Sequence, residues 1–397
     1  MPKLRLKRFA ANPAADPAPI ALPFEKDGLA MARRAISAWP GYAPTPLRRL
    51  SDLAAELGLE AIIYKDESTR FGLGSFKPLG GAYAVSRLLA REITAATGET
   101  TPDLFSPRHA AIAKSLTVTA ATDGNHGRSV AWGARMFGCR CVIFVCASVS
   151  EGRKDAIAAY GAEIREVDGS YDDAVRLAAK TAQDEGWHVI PDTSDGEIID
   201  APRDVTQGYM LMADEALSHW PLAEPPSHVF LQAGVGGMAA ASCARLWQAM
   251  GADKPVIVIV EPDQCACWYE SLTAQKPVAV TGEIDSVMAG LACGEVSMVA
   301  WQVLHKGADF MLTLSDEAAP VMMRYLAGKG GDDRPVVAGE SGIAGLAGAV
   351  AAAQDPAARA ALGLGPNSRI LVFGSEGATD PVTYQHIVGK TPQEVLD

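Results

Sequence analysis

The seven cysteines of this 397-residue chain (Cys139, Cys141, Cys146, Cys243, Cys265, Cys267 and Cys293) include no C-x-x-C pair. A chain this long needs no disulfide staples, so buried thiols are expected. The two C-x-C pairs, 139/141 and 265/267, leave a paired role open. The seven histidines form no H-E-x-x-H and no Cys/His cluster at ligand spacing, which argues against a metal site. Positive charge is also short: 35 Lys and Arg face 47 Asp and Glu, for a net charge of -12. That is the wrong sign for a protein that grips a phosphate backbone. The basic run Lys3, Arg5, Lys7, Arg8 reads as a solvated tail. No apolar stretch of roughly 7–15 residues follows it, so it is not read as a secretory signal. The longest apolar runs, 141–149 and 343–353, fall short of the ~18 residues a membrane span needs. No repeat of roughly 20–50 residues is visible, which removes solenoids and propellers.

What is present is an ordinary globular balance, 48% hydrophobic and 21% charged, on a chain long enough for two compact domains. Residues 9–22, rich in Ala and Pro, read as an irregular arm. Beyond residue 40, short β-branched runs alternate with longer Ala/Leu-rich stretches. The runs predict strands at 61–64, 116–120, 141–145, 163–167, 188–191, 228–232, 256–261 and 369–373. The stretches predict helices at 80–97, 126–136, 151–160, 171–185, 204–217, 239–250 and 342–352. Such alternation implies right-handed crossovers and mostly parallel sheets, hence an α/β protein. Several strands are almost wholly apolar, as when both faces of a sheet are covered.

In such folds ligands sit at the carboxyl ends of parallel strands, so the loops there carry the chemistry. The first is Asp66-Glu67-Ser68-Thr69-Arg70-Phe71-Gly72-Leu73-Gly74-Ser75-Phe76-Lys77-Pro78-Leu79-Gly80-Gly81. Lys77 lies between glycines and beside apolar Phe76 and Leu79. An amine nucleophile must lose its proton, which an apolar pocket or a nearby positive charge promotes. The bland alternative is a surface lysine at a helix start. The second is Thr119-Ala120-Ala121-Thr122-Asp123-Gly124-Asn125-His126-Gly127, strand into helix. Helix-start amides favour an anion, here a substrate carboxylate, and Asp123 adds a possible proton acceptor. Asp, Asn and Gly are also ordinary turn and capping residues, and His126 reads as structural.

The third loop, Gln232-Ala233-Gly234-Val235-Gly236-Gly237-Met238, can turn its amides around a phosphate. It is not G-x-x-x-x-G-K-[ST], and its third glycine falls one residue early for the dinucleotide fingerprint. A phosphate monoester fits better than a nucleotide. The fourth, Phe373-Gly374-Ser375-Glu376-Gly377-Ala378-Thr379-Asp380, offers a hydroxyl or a carboxylate to a cofactor's ring nitrogen.

All four loops, in this order, resemble the fold-type-II, tryptophan-synthase-like pyridoxal-phosphate enzymes over roughly residues 45–385. The resemblance implies two domains, each a mostly parallel sheet flanked by helices. Residues 1–83 and 206–397 would form the larger, and 84–205 the smaller. Pyridoxal 5'-phosphate would be carried by Lys77, with Asn125 on its 3′-oxygen. Gly234, Val235, Gly236, Gly237 and Met238 would hold the phosphate, and Ser375 would face the ring nitrogen, with Glu376 or Thr379 as alternatives.

Amino-acid dehydratases of this fold usually carry Ser where this chain has Asp123. The Asp-Gly-Asn-His-Gly variant is similar to that of the diaminopropionate ammonia-lyase family. Asp192-Thr193-Ser194, Val260-Glu261-Pro262-Asp263, the run Met288–Glu295 and Gly339-Glu340-Ser341-Gly342 agree with it. The implied reaction turns 2,3-diaminopropionate into pyruvate and two ammonia. Lys77, Asp123 and Asp192 are then the candidate catalytic residues, with Thr122, Asp123 and Asp192 against the substrate. A serine/threonine dehydratase or β-replacement synthase is the alternative enzyme reading. A catalytically silent amino-acid-binding module is the alternative outside catalysis. A cytoplasmic homodimer, acting on a small amino acid without nucleic acid, membrane or metal, completes the expectation.

Overall fold

The computed structural model describes every residue except 19–20, 123, 148, 170, 198, 283 and 330–333, and only the backbone at 171 and 172. The chain divides into two compact units. One comprises Met1–Phe24, Ala43–Phe76 and Met210–Asp397, and the other Glu25–Tyr42 and Lys77–Tyr209. The boundaries expected from the sequence lay at 83/84 and 205/206. The observed divisions put Lys77 at the head of the second unit, and residues 25–42 join it as well.

The first unit is built on a seven-stranded sheet. Its strands are β1 (Leu6–Ala11), β2 (Leu47–Arg49), β3 (Ala61–Asp66), β8 (His228–Gln232), β9 (Val256–Pro262), β10 (Phe310–Leu314) and β11 (Arg369–Gly374), and the second unit holds β4 (Thr117–Ala121), β5 (Arg140–Cys146), β6 (Glu163–Val167) and β7 (His188–Val189). The first sheet runs β1-β10-β9-β8-β11-β3-β2. Its five inner strands are parallel and only the two edges pair antiparallel. β3 and β8 are buried at every position, which is why they lack an alternating pattern. The helix Ala344–Gln354, almost all Ala, Gly, Leu and Val, is buried along ten of its eleven residues in this unit's core. Small side chains let it lie close to the sheet: a Cβ on Gly348 would stand 2.7 Å from Val260.

The N-terminal basic run is a solvated tail only up to Arg5: Lys3 and Arg5 are exposed, but Lys7 and Arg8 lie in a strand. Leu6–Ala11 is an edge strand paired with β10, and Arg8 donates from Nε to Asp263 at 2.9 Å and from Nη1 to Glu270 at 2.5 Å. Charged side chains on an edge strand deter stray pairing, so the charge that hid this strand suits its position.

The second unit carries a four-stranded, wholly parallel sheet in the order β6-β5-β4-β7. The helices Gly81–Thr97 and Asn125–Phe137 pack so closely that a Cβ on Gly133 would stand 2.7 Å from the Ala82 Cα. Trp39 meets Trp132 and Phe137 edge-on, with ring centroids 5.9 and 6.0 Å apart, which ties residues 25–42 to this unit. No helix among the described residues is long and apolar enough to cross a membrane.

Candidate active site

In the second unit Lys77 opens a short 3-10 turn, Lys77–Leu79, that feeds the helix Gly81–Thr97. The turn is held hard against the helix Asp200–Ser218. A Cβ on Gly80 would fall 2.3 Å from the Tyr209 ring and 2.8 Å from the Val205 carbonyl, so only glycine fits beside Lys77. Lys77 Nζ donates to Asp192 Oδ2 at 2.7 Å, and its side chain keeps 22% of its exposure. His126 Nδ1 lies 3.9 Å from the same carboxylate oxygen. The opposite ring nitrogen, Nε2, is 2.7 Å from the Ile190 carbonyl, which can only accept, so Nε2 carries a hydrogen.

Burial opposes ionisation of Asp192, but the positive fields of Lys77 and His126 and the Lys77 hydrogen bond outweigh it. They hold the carboxyl well below the usual carboxylate range. An acid whose folded pKa is depressed contributes stability above its ordinary value, 3.8, and loses it as pH falls through the lower folded value. Asp192 is therefore an anion throughout the neutral range. Tyr209, beside the same lysine, is pushed above the usual phenol range by burial, which outweighs the opposing pull of Lys77, so it stays a neutral hydroxyl.

Thr122 is buried, and its hydroxyl oxygen accepts from the Gly124 and Gly127 amides at 3.0 and 3.2 Å. It shapes the start of the helix that Asn125 opens. Asp123 lies outside the described residues.

The first unit holds another lysine close in sequence, Lys65. It is fully buried, with Nζ held by Glu215 at 2.6 Å and the Thr45 carbonyl at 2.8 Å. Arg70 joins the same network through Glu67 and Glu215, so two cations and two anions lie paired together. Breaking one partner of such a cluster strands a buried charge. Its role is to fix the segment 66–72 that leads toward Lys77.

The glycine loop of this unit joins β8 to the helix Gly237–Met250. Gly236 has φ +98°, and a Cβ there would lie 2.3 Å from the Trp268 ring. Glycine is required twice over at this position, by conformation and by space. Trp268 Nε1 donates to the Gly234 carbonyl at 3.0 Å, and the Ser297 amide donates to the Val235 carbonyl at 2.9 Å. With these carbonyls engaged elsewhere and no side-chain cap on the helix, the loop amides at Gly236–Met238 suit an anion. Trp268 is itself held by Glu261, whose carboxylate accepts from the Trp268 and Tyr269 amides at 2.8 Å each. Burial pushes Glu261 up to about 8 against those donors.

Ser375 follows β11 and is buried, its hydroxyl oxygen accepting from Gln232 Nε2 at 3.0 Å. Of the alternatives, Glu376 already takes the Ser341 amide at 3.1 Å and lies 3.5 Å from the Thr379 hydroxyl. Gln232, Tyr209 and Ser341 were not singled out from the sequence, because each acts on a partner far along the chain.

Residues 38–375 match the family described as pyridoxal-phosphate dependent enzymes. Over 371 residues the chain is 38% identical to the diaminopropionate ammonia-lyase of Escherichia coli, covering 92% of each chain. The chain belongs to the diaminopropionate ammonia-lyase family of pyridoxal-phosphate-dependent enzymes. The solved Escherichia coli enzyme of that family, in complex with an aminoacrylate–PLP azomethine reaction intermediate, superposes with a TM-score of 0.86 at 36% identity, covering 97% of each chain. The same enzyme in complex with D-serine gives a TM-score of 0.87 at 35% identity and the same coverage. Maize serine racemase, at 19% identity and a TM-score of 0.71, shares the fold. The fold class expected from the loops, α/β and fold-type-II, is the one found. The cofactor of this lyase is pyridoxal 5'-phosphate. The residues present fit it: a helix start with no side-chain cap, preceded by a glycine turn that Trp268 holds, and a lysine amine with residual exposure.

Proposed function

We propose that this enzyme performs α,β-elimination on 2,3-diaminopropionate, consuming one water and yielding pyruvate and two ammonia. Bound pyridoxal phosphate supplies an electron sink for negative charge at the α-carbon. Lys77 is the residue that carries it, with Asn125 on the 3′-oxygen, the amides of Gly234, Val235, Gly236, Gly237 and Met238 around the phosphate, and Ser375 toward the ring nitrogen. The Lys77 amine takes the α-proton on one face. Asp123 takes it on the other, which admits a D-enantiomer; the D-serine complex of the Escherichia coli relative supports that admission. Thr122 shapes the loop that receives the substrate carboxylate. Hydrolysis of the remaining enamine frees the second ammonia.

One observation carries the choice of substrate: an ionised carboxylate, Asp192, 2.7 Å from the Lys77 amine. A β-ammonium leaves far better than a free amine, and a carboxylate holds an ammonium by charge-assisted hydrogen bonding. A hydroxyl leaving group has no need of such a partner. Asp192→Asn keeps the shape and removes the charge. A hydrogen bond to a charged group is worth about 1.5–3 kcal/mol, so kcat/KM for diaminopropionate should fall by roughly 10–150-fold. Any activity on serine should fall much less. Equal losses on both substrates would mean that Asp192 only steadies Lys77. A cytoplasmic homodimer belongs to the same proposal, on the sequence reading alone, and light scattering of the purified holoenzyme checks the dimer.

A further inference from the structure

At the carboxyl end of β8, one residue before the glycine loop begins, Gln232 lies buried within the first unit. Its Nε2 faces three acceptors: the Phe373 carbonyl at 2.7 Å, the Ser375 hydroxyl oxygen at 3.0 Å and the Gly342 carbonyl at 3.3 Å. An exchanged amide would press Oε1 against two carbonyl oxygens that can only accept, so this orientation is fixed by chemistry. The opposite end agrees. Oε1 makes no hydrogen bond, and it occupies space that a Cβ on Gly345 would invade at 2.6 Å. Two hydrogens on Nε2 go to the two nearer acceptors, so a lone pair of Ser375 Oγ is already taken. The hydroxyl proton of Ser375 must then be given elsewhere.

We propose that Gln232 is a positioning residue that fixes Ser375 as a hydrogen-bond donor toward the pyridine nitrogen of the cofactor. This rests on the reading of Ser375 given above. A hydroxyl held as a donor meets an unprotonated nitrogen, whereas a free hydroxyl can turn and accept. Gln232 thereby sets the charge state of the ring without touching it, through a contact that spans 143 residues of sequence.

The test uses holoenzyme reconstituted with pyridoxal phosphate labelled with nitrogen-15 in the ring, read by NMR. Wild type should show an unprotonated, hydrogen-bonded pyridine nitrogen. Ser375→Ala should move the signal toward a free pyridine, and Gln232→Met should move it in the same direction. Each should raise the cofactor dissociation constant about two- to tenfold, the size of one neutral hydrogen bond. The double variant should lose no more than the larger single loss, because both remove one contact. Gln232→Glu preserves shape but offers one donor when protonated and none when ionised, so its ring signal should depend on pH where wild type is flat. A wild-type ring signal in Gln232→Met, a pH-independent wild-type signal in Gln232→Glu, or additive losses would overturn the role of Gln232. A wild-type signal in Ser375→Ala would overturn the underlying placement of Ser375 instead, so the two failures are distinct.

Discussion

Lys77→Ala is expected to give a folded protein that holds the cofactor only non-covalently and turns over no measurable diaminopropionate. Two losses combine. On the proposed assignment the amine that links the cofactor is gone, and so is the base for the α-proton, whose general-base contribution alone is typically ~10²–10⁴-fold. Folding should be spared, because the side chain is partly exposed and its partner Asp192 is likewise not sealed from water. Leaving Asp192 without its lysine lets its carboxyl rise toward the ordinary range, since burial is then opposed by His126 and a backbone hydrogen bond without the lysine's charge. Borohydride reduction of the wild type, followed by peptide mapping, should place the cofactor on Lys77. Lys65, unlike Lys77, is fully buried, with Glu215 and the Thr45 carbonyl on its amine. A reduced adduct on Lys65 or Lys114 would end this assignment.

The second large effect belongs to Asp123. Removing an α-proton from either enantiomer needs a base on each face of a planar system, and a lysine tethered on one side serves only one. Asp123→Asn keeps shape and hydrogen-bonding capacity but removes the base. The rate on D-diaminopropionate should fall by about 10²–10⁴-fold while the L-rate falls much less. Equal losses would assign Asp123 to substrate positioning, and full D-activity would remove it as the base.

How much of this was legible beforehand depended on how local each feature is. Every inner strand but β10 read clearly, because near-continuous apolar runs bounded by turns need no partner to be recognised. Glu163–Val167 and His228–Gln232 were placed to the residue. β1 was missed because Lys7 and Arg8 hide its alternation, and its pairing residues lie some three hundred positions away on β10. β10 itself, five residues long between charged turns, and the helices Met298–Gly307 and Ala318–Gly328 were also passed over. Short apolar segments do not declare their period. The glycine loops were readable because their chemistry sits within seven residues or so of chain. Contacts between residues far apart in the chain were not. Gln232 meets Ser375 across 143 residues, and Lys77 meets Asp192 across 115. Asp192 was singled out only through family resemblance, and Gln232 was named in its loop without a role, because a glutamine at a strand end carries no signal until its partner is known.

The central claim, elimination of two nitrogens from one substrate, is tested most directly by counting products. Purified holoenzyme supplied in turn with 2,3-diaminopropionate, serine and threonine should release two ammonia per pyruvate from the first, at the highest kcat/KM of the three. Serine or threonine turned over faster, with one ammonia per keto acid, would contradict the account and assign the chain to a dehydratase.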